Sequence, residues 1–262
     1  MKVYVGTSGW QYDWNKGQTL EWYLKNSGLN SIELNASFYR FPFTNQVKAW
    51  AKKTEDIKDF RWSVKVSRLV THIFKFNEKA FQIWKKFERL FEILEDKIDF
   101  FLFQLPPILT PKSAERIESF YKKTKLEEKF ALEWRNLSWF EKSWIKWAEN
   151  LGLTLVSIDA PEFENFPREI YCTNKIVYLR IHGRTTWYSH CYSLSELKEI
   201  KEKILNVKPL KAYVYFNNNH NMLLNAQQMF SLLKNEDSKE EKLRKFESNV
   251  FSNLKSLLAF KS

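Results

Sequence analysis

Short β-rich runs alternate along the chain with longer amphipathic stretches, from the first residue to about residue 234. Eight runs read as strands: Val3 to Thr7, Ser31 to Asn35, Trp62 to Val66, Phe100 to Leu105, Phe130 to Trp134, Leu153 to Asp159, Ile176 to His182 and Ala212 to Asn217. Between and after them, helical spacing predicts helices over Thr19 to Asn26, Asn45 to Lys53, Ser113 to Lys122, Ser143 to Leu151, Ser195 to Leu205 and Met222 to Leu233. A further helix follows Asn77, where Phe81, Trp84, Phe87, Phe91 and Leu94 recur on one face while Lys85, Lys86, Glu88, Arg89 and Glu92 fill the others. That aromatic stripe reads as core packing rather than a cofactor box.

Strands alternating with helices indicate βαβ units and a parallel sheet. An open doubly wound sheet usually carries a Gly-rich phosphate loop after its first strand, and Gly6-Thr7-Ser8-Gly9 is too short for one. The expected fold is therefore α/β, a single TIM-type (β/α)8-like barrel over residues 1–235. A short charged helical extension over residues 236–262 should pack on the barrel or on a partner. In it the charged stretch Lys234 to Glu247 leads to Val250, Phe251, Leu254, Leu257 and Leu258 at helical spacing. The length of 262 residues suits this, since such barrels need about 250.

In a barrel one parity of each strand faces the axis and the other faces the helices. In the seventh run Val177, Leu179 and Ile181 are the apolar set, which sends Tyr178, Arg180 and His182 inward. The same reading turns Glu33 and Asn35, Ser63 and Lys65, and Glu133 and Arg135 inward, and selects Ser8, Gln104, Asp159 and Asn217. Barrel interiors are ordinarily filled by branched apolar side chains, and charges are rarely buried unless paired. Three acids and three bases, Glu33, Glu133, Asp159, Lys65, Arg135 and Arg180, with His182 among them, thus point to a binding or catalytic site at the carboxyl ends of the strands. An internal salt-bridge network is the competing reading.

Within that ring Glu33, Glu133, His182, Asp159 and Lys65 are the catalytic candidates. His182 suits a general acid or base, having an ordinary pKa near neutrality. Glu33 and Glu133 suit an acid/base pair like that of glycosidases. Lys65 would form a Schiff base only if its pKa were lowered, and nearby carboxylates are expected to raise it. A divalent metal held by Glu33, Glu133, Asp159 and His182 is not favoured, because the interleaved cations repel it and His72, His190 and His220 fall on connections; the cofactor stays undetermined.

Charge adds a partner class. Forty-two basic against thirty-one acidic residues give +11, which favours an anionic ligand or substrate, RNA and DNA included. No run approaches the roughly 18 apolar residues of a membrane span, and the first ten residues lack the features of a signal peptide, so a cytoplasmic protein with no membrane partner is expected. Cys172 and Cys191 form no Cys-x-x-Cys pair and read as small, partly buried side chains.

Separated segments agree in order with the YecE-like family of TIM barrels, a domain of unknown function. They are Gly6-Thr7-Ser8-Gly9-Trp10-Gln11-Tyr12, Ile32-Glu33-Leu34-Asn35-Ala36-Ser37-Phe38-Tyr39-Arg40, and Ser63-Val64-Lys65-Val66 with Arg68, Thr71 and His72. Further ones are Phe103-Gln104-Leu105-Pro106-Pro107, Glu133-Trp134-Arg135 with Ser138-Trp139, Arg180-Ile181-His182-Gly183-Arg184, and Tyr213-Val214-Tyr215-Phe216-Asn217-Asn218. The chain resembles that family from residue 6 to about 226, which implies a (β/α)8-like barrel and supplies no reaction. It departs in a shortened loop after Trp14 and in Arg135-Asn136-Leu137-Ser138-Trp139, where the family carries Arg-His-Pro-Ser-Trp. Asn136 cannot exchange a proton as that histidine can.

Three functions compete. In an enzyme, Arg135, Arg180 and Arg184 grip a phosphate or carboxylate while Glu33, Glu133 or His182 moves a proton, a phosphodiester hydrolase or nuclease being the version that also uses the +11 charge. Its substrate-binding set is Ser8, Trp10, Tyr12, Asn35, Tyr39, Gln104, Arg135, Arg180, Arg184 and Asn217. Rim aromatics, Trp10, Tyr12, Trp14, Phe38, Tyr39, Trp139, Trp187 and Tyr188, would stack bases or sugars, or simply pack. The alternative is a non-catalytic barrel that binds nucleic acid or protein through its basic surface. An isomerase or lyase on a phosphorylated sugar fits by analogy of fold alone. Arginines inside the pocket favour an enzyme, and arginines along an outer groove favour a binder.

Overall fold

A computed structural model describes residues 1–234; the extension expected over 236–262 lies outside them. Eight parallel strands close in sequence order into one barrel. They are β1 (Lys2–Ser8), β2 (Ser31–Leu34), β3 (Arg61–Lys65), β4 (Ile98–Gln104), β5 (Phe130–Glu133), β6 (Thr154–Asp159), β7 (Ile176–Ile181) and β8 (Lys211–Phe216). Each expected run overlaps one of them, with the ends shifted by a residue or two. The helices are α1 (Leu20–Asn26), α2 (Thr44–Thr54), α3 (Glu78–Leu90), α4 (Ala114–Thr124), α5 (Lys142–Leu151), α6 (Leu194–Asn206) and α7 (222–234). None is long and apolar enough to cross a membrane among the described residues.

Side chains capping free backbone N–H groups start several of these helices. Thr19 accepts from Trp22 N at 3.1 Å and Asn77 from Ala80 N at 3.0 Å. At α6 the cap is Ser193, two residues before the expected start, because it forms a reciprocal pair with Glu196. Between β6 and β7 no α-helix forms. The chain passes through one 3-10 turn, Glu162–Glu164, and is fastened to the barrel where Ser157 Oγ accepts from Tyr171 N at 2.8 Å.

The main core lies between strands and helices, where Trp84 and Phe87 of α3, and Phe91 and Leu94 just beyond its end, are all at most 2 % exposed, while Phe81 of the same stripe is only partly buried. Cys172 is half-buried there, while Cys191 is exposed, a departure from the expected partial burial that follows from its place in the loop before α6. A second cluster, including Phe100, Leu102, Ala131, Ile158, Tyr178, Tyr213 and Tyr215, fills the barrel itself. Below it, toward the amino ends of the strands, Arg61 pairs with Asp99, which also accepts from Tyr213 Oη at 2.6 Å. Asp99 sits where the β3–β4 register slips between Trp62 and Ser63. An extra residue in one strand re-aims side chains, and here it presents a carboxylate to Arg61. Polar groups then reappear above the apolar layer, at the carboxyl ends.

Candidate functional site

At that end the strand alternation places Ser8, Glu33, Lys65, Gln104, Glu133, Arg180, His182 and Asn217 around the axis. The ladder continues past the strand ends to hold the last of them: His182 N donates to Asp159 O at 2.8 Å and Asn217 N to Ile181 O at 2.7 Å. A cavity of about 260 Å³ opens there, lined by Lys65, Gln104, Arg135, Arg180, His182 and Asn217, with Tyr12, Asn35, Tyr39, Tyr188 and Asn219 toward its mouth.

Its floor is an ionic network. Arg180, with no exposed surface, donates from Nε and Nη2 to both oxygens of Glu33 at 2.9 and 2.8 Å, and from Nη1 to Glu133 at 2.6 Å. Glu33 also accepts from Ser8 Oγ at 2.6 Å and Tyr178 Oη at 2.7 Å. Glu133 accepts besides from Gln104 Nε2 at 2.9 Å and from Arg135 Nε. Both carboxylates are thus occupied by donors. Burial pushes the Glu133 carboxyl up, but Arg135 and Arg180 outweigh it and hold it well below the ordinary carboxylate range.

His182 lies between Arg135 Nη2, 3.1 Å from its Nε2, and Asn217 Nδ2, 3.3 Å from its Nδ1. A guanidinium only donates, so Nε2 is the accepting nitrogen and the proton of the neutral ring sits on Nδ1; accepting that proton requires the Asn217 amide rotated end for end from the placement with Nδ2 toward the ring. Burial, with Arg180 and Arg135 adding to it, pushes the ring pKa well below its ordinary value. Trp187 covers this pair, its ring 5.0 Å from the Arg135 guanidinium and 5.4 Å from the His182 ring. Gly183 makes the turn that brings Trp187 there, at φ +113°, where a Cβ would stand 2.5 Å from Thr186 O.

Lys65 stands apart. Its side chain is buried, and among the described residues Nζ makes no hydrogen bond and no ion pair; its contact is the face of Phe38, 4.2 Å from the ring centroid. Burial pushes its pKa down to about 7, with Arg180 and Arg135 adding to the shift and Glu133 and Glu33 opposing it only in part. The carboxylates do raise this pKa as expected, but burial first, and then Arg180 and Arg135, outweigh them, so the net shift is downward. His72 packs edge-on against Phe38 at 5.0 Å between rings, and burial, then Lys65 and Arg135, lower its pKa to about 4.

The sequence matches the model of the family described as protein of unknown function DUF72 over residues 4–248. The chain belongs to the DUF72 family. A solved DUF72 protein from Thermotoga maritima superposes with a TM-score of 0.74 at 26% identity, covering 89% of this chain and 100% of its own. One from Enterococcus faecalis gives 0.73 at 22%, covering 89% and 98%. A D-psicose 3-epimerase from Clostridium cellulolyticum, solved with D-tagatose, gives 0.53 at 13%, covering 89% and 98%, a likeness of fold alone. No curated protein matches the chain.

Not every residue singled out in this DUF72 sequence reaches the cavity. Asp159 does not. β6 pairs with β7 so that Ile158 stands beside inward Arg180 and Asp159 beside outward Ile181, and paired residues of parallel strands point to the same side. Asp159 therefore faces α6, where it holds Arg184 at 3.0 Å and accepts from Tyr192 Oη at 2.5 Å. Arg184 goes with it, its Nη1 donating to Glu199 at 2.8 Å. Trp10 packs edge-on against Trp50 and Trp62, Trp14 stacks on Tyr12, and Trp139 is buried against Trp134. Ser8, beside Glu33 in the strand register, lines a neighbouring cavity of about 590 Å³ beside Trp10 and α2, and Asn35 and Tyr12 border both cavities. Phe38, His72 and Asn219 are site residues that strand parity could not find, because they sit on connections. Among the described residues no group of three or more His, Cys, Asp or Glu is arranged to hold a metal.

Proposed function

We propose that this DUF72 chain is an enzyme that holds the carboxylate or phosphate of a small substrate at Arg135 and does its chemistry at Lys65. One observation carries the reading: in a site where Glu33, Glu133 and Arg180 satisfy one another, a buried amine is left without a counter-ion beside a cavity. A lysine buried so, with no carboxylate in contact, is an activated amine. Arg135 contributes the anion-binding side, since Nε and Nη2 are engaged and the remaining Nη1 has no partner among the described residues.

Hydrolysis driven by Glu33 and Glu133 draws no support from this geometry. A carboxylate whose oxygens already accept three or four hydrogen bonds is a poor proton carrier, and Glu133 is besides held well below the ordinary carboxylate range by Arg135 and Arg180. A phosphodiester strand remains a second reading because of the rim: Tyr39 is 69% exposed beside Tyr12 and Tyr188, placed for stacking, on a chain of charge +11.

Thermal unfolding in increasing phosphate, or with short single-stranded RNA and DNA, tests both, since a ligand of the native state stabilises by RT ln(1 + [L]/Kd). Phosphate should raise Tm in the wild type and in Arg184→Met, and lose its effect in Arg135→Met. Protection that survives in Arg135→Met overturns the proposed anion site. Protection by oligonucleotides far exceeding that by phosphate, with strand cleavage, moves the phosphodiester reading ahead.

A further inference from the structure

We infer that Lys65 forms an imine with the carbonyl carbon of a small aldehyde or ketone that also bears a carboxylate or phosphate. The inference rests on the anion-binding reading just given and adds the substrate's reacting group. Lys65 ends β3 with its Nζ over the Phe38 ring, on the wall of the 260 Å³ cavity that Arg135 also lines. The charged and titratable groups that act on it come from several elements: Glu33 on β2, His72 after β3, Glu133 and Arg135 at the end of β5, and Arg180 on β7. The two glutamates are spoken for by Arg180 and Arg135, so neither clamps the amine as a salt bridge. His72 and His182 are neutral at pH 7, which leaves Lys65 as the group in the cavity whose lone pair becomes free near neutrality.

A free lone pair with no carboxylate in contact fits a nucleophile better than a proton shuttle. The Lys65 nitrogen attacks the carbonyl carbon and a C–N bond forms, giving a carbinolamine. One proton from the amine and one from solvent at the open mouth then leave with the carbonyl oxygen as water, and a C=N⁺ bond remains. The product keeps one positive charge on the nitrogen. Phe38 already faces that position, and an aromatic face stabilises the cation. Arg135 holds the substrate's anionic end, which makes the attack effectively intramolecular.

Reductive trapping reads this out. The wild type is incubated with pyruvate, with dihydroxyacetone phosphate and with acetone, reduced with borohydride, and digested for peptide mapping. Borohydride delivers hydride to the imine carbon, so the modified peptide gains the mass of the probe less one oxygen atom. Expected is labelling at Lys65 by one or both anionic probes, at least tenfold over any other lysine, half-maximal near pH 7, and absent in Lys65→Arg. Whichever of pyruvate and the phosphate ester labels faster identifies the anion. Acetone labelling Lys65 as fast as both would uphold the imine and overturn the anion site. Phosphate-dependent thermal protection through Arg135 without selective labelling of Lys65 would overturn the imine and leave the anion site standing. Mapping of the wild type does not depend on any variant folding.

Discussion

Two buried ionic clusters flank the exit of β7 and are built to different completeness. The axial one joins Glu33, Glu133, Arg180 and Arg135 inside the barrel and leaves Lys65 without a partner beside a cavity. The lateral one joins Asp159, Arg184, Tyr192 and Glu199 behind the barrel wall, with Arg184 wedged between two acids and no cation left over. Burying ions costs several kcal/mol each unless geometry and hydrogen bonds compensate. The lateral cluster meets that condition and reads as a strut tying α6 to β6. The axial cluster meets it for four residues and fails for the fifth, and a violation beside a cavity is where function is found.

The sharpest way to break this comparison is to remove the central arginines. Arg180→Met strands two fully buried carboxylates, and loss of a single partner from a buried pair already costs about 3–5 kcal/mol. The variant should lose at least that much by denaturant unfolding, up to loss of the fold. Adding Glu33→Gln and Glu133→Gln to it should recover much of the loss, because the stranded charges are then gone. Arg184→Met should lose less, about 1–3 kcal/mol, since Asp159 keeps Tyr192 and Glu199 is half exposed. A lateral loss larger than the axial one would reverse the assignment of which network sustains more buried charge.

Strand parity made much of this legible in advance. In β7 the apolar set Val177, Leu179 and Ile181 fixed the inward set, and β2, β3 and β5 followed the same alternation, which is why Glu33, Lys65, Glu133 and Arg180 were placed correctly around the axis. It failed at β6, where Leu155, Val156 and Ile158 are apolar at both parities, so polarity alone turned Asp159 inward; only the pairing of Ile158 with Arg180 decides it. Asp99 was unreadable because a register slip, not alternation, aims it. The state of Lys65 was also out of reach. A list of inward residues contains as many acids as it needs, and only distances reveal that the arginines have taken them.

A variant that gains stability would sharpen the contrast. Lys65 has a folded pKa of about 7 against an ordinary value near 10.5. Between those values the unfolded chain binds more protons, so wild-type stability rises with pH from about 7 toward 10.5, and at and below pH 7 the whole penalty for the buried ammonium is present. Lys65→Met removes it. Replacing a buried ion by a packed apolar group is neutral or stabilising by about 1–4 kcal/mol, so this variant should melt above the wild type at pH 6 and converge on it toward pH 10. No single substitution in the lateral cluster should do so. A Lys65→Met variant that melts below the wild type at pH 6 would mean the amine has a partner, and the axial cluster would then be complete like the other.

The smallest expected effect compares one hydroxyl in each cluster. Tyr178 Oη donates to Glu33 at 2.7 Å and accepts from Ser63 Oγ at 2.6 Å, and without it Glu33 keeps Ser8 and two bonds from Arg180 while Ser63 loses its partner. Tyr192 Oη donates to Asp159 at 2.5 Å and also accepts from Gly183 N at 3.0 Å, in the turn that carries Trp187 over Arg135. A buried donor left unsatisfied costs about 1–3 kcal/mol, whereas one bond among several to a satisfied acceptor contributes about 0.5–1.5 kcal/mol. Each substitution strands one buried donor, the Gly183 N–H in Tyr192→Phe and the Ser63 hydroxyl in Tyr178→Phe, so each should lose about 1–3 kcal/mol by urea unfolding at pH 7, and phosphate protection is what tells them apart. Tyr192→Phe should weaken phosphate protection, because loosening the Gly183 turn frees the Trp187 lid from Arg135, while Tyr178→Phe should leave that protection unchanged. Equal phosphate protection in the two variants would show that the lateral strut does not support the site through Gly183, and the two clusters would be independent.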